Sequence, residues 1–124
     1  MPCHVKKAQS LFPTLTPVIH TFAIQELLGH AEKENPATFG IFTIDGGNPT
    51  SYNKLPFHGF VVVTEGQGFV EDLDKPGQST TMEVGDILHV HPGTSFRWGS
   101  TTKCKGFYVH LKALGDPVFV NGLY

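Results

Sequence analysis

The chain has two cysteines, Cys3 and Cys104, in 124 residues. They form neither a metal-binding nor a redox motif, so chemistry built on paired cysteines is excluded. A disulfide between them is not needed, because the chain is 40% hydrophobic with 10 Phe and can build a core without staples. Basic charge is also scarce. Lys and Arg number 9 against 11 Asp and Glu, the net charge is −2, and no basic run exceeds Lys6-Lys7. Nothing in that balance favours nucleic acid or an anionic membrane as a partner. No apolar run approaches the roughly 20 residues that cross a bilayer. The N-terminus lacks the charged-then-apolar pattern of a secretory signal. A soluble, cytoplasmic protein is the expectation.

Glycine and proline are plentiful, at 14 and 9, which suits many turns between short strands. Residues 1–17 carry Pro2, Pro13 and Pro17 and read as an arm with one short edge strand. Residues 21–34 (TFAIQELLGHAEKE) are the one helical pattern. Phe22, Ile24, Leu27 and Leu28 fall on one face, Thr21 serves as N-cap, and Asn35-Pro36 stops the run. Residues 1–37 are thus expected to be an arm and short helix packed on a barrel of residues 38–124, all in one domain.

From Thr38 onward the pattern is β. Strands are expected at 38–44, 57–64, 69–73, 79–84, 86–91, 95–98 and 105–112, with a last edge strand at 117–120 and a loop over 48–56. Glu65-Gly66-Gln67-Gly68 is expected to turn the chain back as a hairpin. Asp74-Lys75-Pro76-Gly77 is a second turn, with Pro pre-setting φ and Gly permitting positive φ. Roughly seven or eight short strands with regular turns indicate an all-β sandwich or barrel.

Residues 85–98 (GDILHVHPGTSFRW) organise the rest. Gly85-Asp86 and Pro92-Gly93 are turns around one short strand. On that strand His89 and His91 share a face, about 7 Å apart. Two readings fit. Either both imidazoles enter the interior, to hold a metal or to act as acid and base near neutral pH, or Leu88 and Val90 take the core and both histidines face outward.

The hairpin-like VVVTEGQGFVED (61–72) and EVGDILHVHPGTSFRW (83–98) together resemble the cupin superfamily. The ending KGFYVHL (105–111) is most similar to the short ethanolamine-utilization-type cupins. The resemblance implies a double-stranded β-helix, or jelly-roll barrel, and a homodimer formed through the barrel edge and the arm, where the partly apolar segment 11–18 would serve. Most cupin enzymes hold a divalent metal with a His-x-His and a Glu on the first motif and a His on the second. This chain departs from that set. Gly59 stands at the Glu position with only His58 beside it, residues 52–55 lack the His-x-His, and Phe96 replaces the second-motif His. No cofactor is therefore expected, unless a divalent metal uses relocated ligands, namely His89, His91 and His58.

The expected function is a small enzyme that binds an organic molecule in an aromatic-lined barrel and moves protons, as a lyase, isomerase, cyclase or decarboxylase. His89 and His91 are the candidate catalytic pair, with His58 and His110 as further members. Phe96, Trp98, Phe60, Tyr108 and Arg97 are the candidate substrate contacts. Alternation on 105–111 makes Phe107, Val109 and Leu111 the better core face and leaves Tyr108 and His110 exposed, at a subunit contact or in the pocket. Arg97 points away from Phe96 and Trp98, as a solvated charge or, after a bulge, as a carboxylate ligand. Glu65, Glu71, Asp72 and Asp74 read as solvated turn charges. Cys104 reads as a loop thiol between Lys103 and Lys105, with no partner for a reactive role. His4, His20 and His30 fall outside the barrel. Two alternatives to the enzyme are a non-catalytic binder of a small molecule and a metal-dependent cupin with relocated ligands.

Overall fold

A computed structural model describes residues 3–19 and 21–116. The expected strand at 117–120, and His20, lie outside the described residues. Among the described residues, ten strands follow one 3-10 turn at Ala8–Thr14: β1 Thr16–Ile19, β2 Phe22–His30, β3 Ala37–Asp45, β4 Thr50–Tyr52, β5 Gly59–Gly66, β6 Gly68–Asp72, β7 Ser79–Met82, β8 Ile87–Val90, β9 Phe96–Gly99 and β10 Lys103–His110. They form a six-stranded sheet ordered β1-β2-β3-β10-β5-β8 and a four-stranded sheet ordered β4-β9-β6-β7. The β-branched and aromatic runs of β3, β5 and β10 make the centre of the larger sheet. The apolar faces of the two sheets meet in one core, in which Phe22 of the larger sheet packs edge-on against Trp98 of the smaller one, with ring centroids 5.0 Å apart. This is the expected all-β jelly roll.

The turns beside β8 follow their residues. Gly85 and Gly93 have φ of 93° and 86°, a region where a Cβ is disfavoured. The Pro76-Gly77 turn joins β6 to β7 as an antiparallel hairpin, and the Gly77 amide donates to Glu71 Oε2 at 2.7 Å.

Three expectations are corrected. Residues 21–34 are not a helix: Phe22–His30 is strand β2, paired with β1 and β3. Phe22 and Ile24 alternate onto the inner face, and a bulge between Glu26 and Leu28 then shifts the register. That bulge sets Leu27 beside Leu28 in a spacing that mimics a helix. Residues 65–68 are not a hairpin turn either. The Gln67 amide donates to the Lys103 carbonyl at 3.0 Å, and the chain crosses there from the larger sheet (β5) into the smaller one (β6). Finally, the loop over 48–56 contains strand β4.

Candidate functional site

Between the sheets lies a cavity with about 60 Å³ of space for water-sized molecules. One water needs only roughly 10–15 Å³ on that measure. Phe22, Phe42, Met82, Val90, Phe96 and Trp98 supply much of its wall. The titratable side chains that line it are Tyr108 and His110. Both come from β10, where Cys104, Gly106, Tyr108 and His110 alternate inward and are buried. The expectation that Phe107 and Val109 would form the core face, leaving this pair exposed, is therefore corrected. Those two side chains are only half-buried and face outward, where Phe12 of the arm lies against Phe107 at 6.4 Å between centroids. The arm thus gives the outer face an apolar cover, and hydropathy alone does not tell the two faces apart.

The two interior groups are held neutral. Burial, and secondarily the Lys112 ammonium, lowers the His110 pKa to about 3. Burial, with the nearby Glu26 carboxylate adding to it, pushes the Tyr108 phenol up. Their ring centroids are 4.4 Å apart, and Phe57 flanks His110 at 4.8 Å. Among the described residues, the buried Tyr108 hydroxyl has no hydrogen-bond partner. At this end of the barrel the buried Lys112 ammonium pairs with Glu26 and donates to the Asp116 carbonyl at 2.7 Å. Glu26 and Lys112 carry no motif, so sequence reasoning missed them.

His89 and His91 do not enter the barrel. Leu88 and Val90 line the cavity, and the two histidines are exposed on the outer face of the larger sheet. The pairing of β5 with β8 sets Phe60 opposite His89 and Gly59 opposite Val90. Extended by one residue, that register sets His58 opposite His91, and directly opposed residues project to the same side. His58, His89 and His91 accordingly cluster, with ligand atoms all within 4.8 Å of one another. His58 Nδ1 and His89 Nε2 share a 2.9 Å hydrogen bond. Phe60 stacks on His89 at 4.4 Å. Partial desolvation, then the charges of His91 and His58, lowers the His89 pKa.

Several other candidates also leave the barrel. Phe60 lies on the outer face with the histidines and does not line the cavity. Arg97 points away from the cavity and donates to Glu71 Oε1 at 3.0 Å. Glu71, expected to be a solvated charge, is half-buried in that pair. Cys104 is not a loop thiol: it is fully buried on β10, and burial raises its pKa to about 11. The cysteines are both free, with Cys3 exposed.

The standard cupin metal does not fit this interior. The cavity lining offers one imidazole, His110, and no carboxylate or thiolate, whereas a metal centre needs several convergent N, O or S ligands.

Two antiparallel sheets closing on an apolar cavity define a cupin barrel. The chain is similar in structure to ectoine synthase from P. lautus, with a TM-score of 0.72 and 16% identity over 90% of this chain and 80% of that one. It is also similar to a putative ethanolamine utilization protein Q from Salmonella typhimurium, with a TM-score of 0.62 and 21% identity over 76% and 72% of the two chains. A cupin superfamily protein from Desulfitobacterium hafniense matches with a TM-score of 0.57 and 13% identity over 72% and 77%. No family model and no curated protein matches the sequence. These likenesses establish the cupin fold. No helix among the described residues is long and apolar enough to cross a membrane.

Proposed function

We propose that this chain binds a small, mainly apolar molecule inside the barrel. The Tyr108 hydroxyl donates a hydrogen bond to an acceptor on that molecule, and His110 is the second polar contact. One observation carries the reading: a phenol that lines an apolar cavity with no hydrogen-bond partner among the described residues. A buried hydroxyl left unpaired costs about 1–3 kcal/mol, and a ligand oxygen would remove that cost. An apolar pocket with few polar groups is the common form of a small-molecule site.

The test uses the full chain and a panel of small neutral ketones, esters and lactones, read by thermal shift and calorimetry. At least one member is expected to bind, and Tyr108→Phe is expected to weaken it about tenfold, the loss of one hydrogen bond in a dry site. Unchanged binding in Tyr108→Phe would sink the reading.

A second reading, proton-transfer catalysis, is favoured by the adjacency of a phenol and an imidazole on one wall. The cupin fold of ectoine synthase from P. lautus is that of an enzyme. Against it, an imidazole with a pKa of about 3 is a weak base at neutral pH. Mass spectrometry of the recovered ligand separates the two. Unaltered ligand supports binding alone, and a product that disappears in His110→Phe supports catalysis.

A further inference from the structure

His58, His89 and His91 lie outside the barrel, and the proposed ligand site does not use them. Two strands bring them together. His89 lies on β8, His91 directly follows that strand, and His58 precedes β5 directly across from His91. Ring centroids are 4.0 Å apart for His89 and His91, 5.2 Å for His58 and His89, and 5.7 Å for His58 and His91. Each offers a ring nitrogen within 4.8 Å of the other two. Three imidazoles converging on one point are an unusual arrangement for a plain surface, where each ring could instead turn separately into water.

We propose that His58, His89 and His91 form a three-imidazole binding site for a divalent zinc-class cation on the outer face of the larger sheet. Imidazole nitrogens suit Zn²⁺, Cu²⁺ and Ni²⁺, and three protein ligands leave a fourth position for water or another small ligand. Tetrahedral coordination at about 2.0–2.1 Å sets donor nitrogens roughly 3.3 Å apart. The 2.9 Å hydrogen bond between His58 and His89 opens slightly to accept that spacing, and the wider pairs close. The strands need not move, because these are half-buried and exposed side chains with room to adjust. Phe60, stacked on His89 with an interplanar angle of 13°, fixes the plane of one ligand. His89 and His91 also line a groove of about 290 Å³ that contains Asp72, Lys75 and Gln78, so a small anionic or polar molecule has space beside the cation.

The test titrates the metal-stripped full chain with Zn²⁺ by calorimetry and with Co²⁺ by visible absorption. One ion per chain is expected, with the d–d bands of tetrahedral Co²⁺. His58→Ala, His89→Ala and His91→Ala should each weaken binding by at least the roughly 10–100-fold that follows loss of an outer-shell partner alone. His30→Ala, at a half-buried histidine paired with Glu32, should bind like the parent. Circular dichroism of each variant should match the parent, since these side chains lie outside the core. No binding by the parent overturns the proposal. So do affinities equal to the parent's in all three variants, which would place the ion elsewhere, and a ratio of one ion to two chains, which would require ligands from a second copy.

Discussion

Tyr108 and His110 stand two residues apart on β10 with ring centroids 4.4 Å apart, and both are buried against the cavity wall. Their shared face follows from strand alternation. That this face is the inner one follows from the arm, whose Phe12 lies against Phe107 on the opposite side. The relationship sets two expectations for the chain without ligand.

Tyr108→Phe should stabilise the ligand-free protein by about 1 kcal/mol. The ring stays and keeps its packing, while a buried hydroxyl without a partner is replaced by hydrogen, which removes its desolvation cost. Denaturant unfolding checks this. A loss of stability would mean that the hydroxyl is bonded in solution.

His110 should make stability depend on pH. Its folded pKa, about 3, lies below the unfolded value of 6.5. Between those values the unfolded chain carries a proton that the folded chain refuses. Stability is therefore fully present above about pH 6.5 and falls on acidification toward pH 3, by at most about 1.4 kcal/mol per pH unit. His89, also lowered, acts in the same direction, so the measurement compares variants. Between pH 6.5 and 5, before most carboxylates titrate, His110→Phe should show a shallower slope than the parent. Identical slopes would contradict the buried neutral imidazole.

Glu26 and Lys112 join β2 to the segment after β10, with side chains 28% and 7% exposed. Breaking such a pair leaves a buried ammonium with backbone carbonyls alone. Glu26→Ala should cost roughly 3 kcal/mol, the low end for an opened buried pair. Replacing both, as Glu26→Leu with Lys112→Met, should recover most of that loss. A double-mutant cycle with no coupling would show that the pair contributes nothing in solution.

The fold was legible because its punctuation is local. Gly85, Pro92-Gly93 and Pro76-Gly77 specify turns by their own backbone preferences, and the β-branched runs between them specify strands. The β2 segment has a helix-like pattern in the sequence because its bulge breaks the period of two, and a period cannot be read across a break. The site was less legible because it depends on register and cover. His89 and His91 share a face in any register, but the side that faces the core is decided by the smaller sheet packing on Leu88 and Val90. His58 meets them only through the pairing of β5 with β8, 31 residues away in sequence. Glu26 and Lys112 are 86 residues apart and become partners only when the barrel closes.

Cys104 shows how placement reverses a chemical expectation. Read as a loop thiol between two lysines, it would have a lowered pKa, with no partner residue for a reactive role. On β10 it is fully buried, with a pKa raised to about 11 by burial, so at pH 8 it holds no useful fraction of thiolate. Cys3 is exposed and free. A thiol-disulfide reagent such as dithionitrobenzoate should therefore titrate one thiol rapidly in the native chain and two in denaturant. The slow native phase should follow global unfolding, because Cys104 lies on a central strand of the larger sheet. Moderate denaturant, or Glu26→Ala, should speed that phase in proportion to the lost stability. Two fast native thiols would place Cys104 at the surface and would remove the burial that also holds Tyr108 and His110 neutral on the same strand.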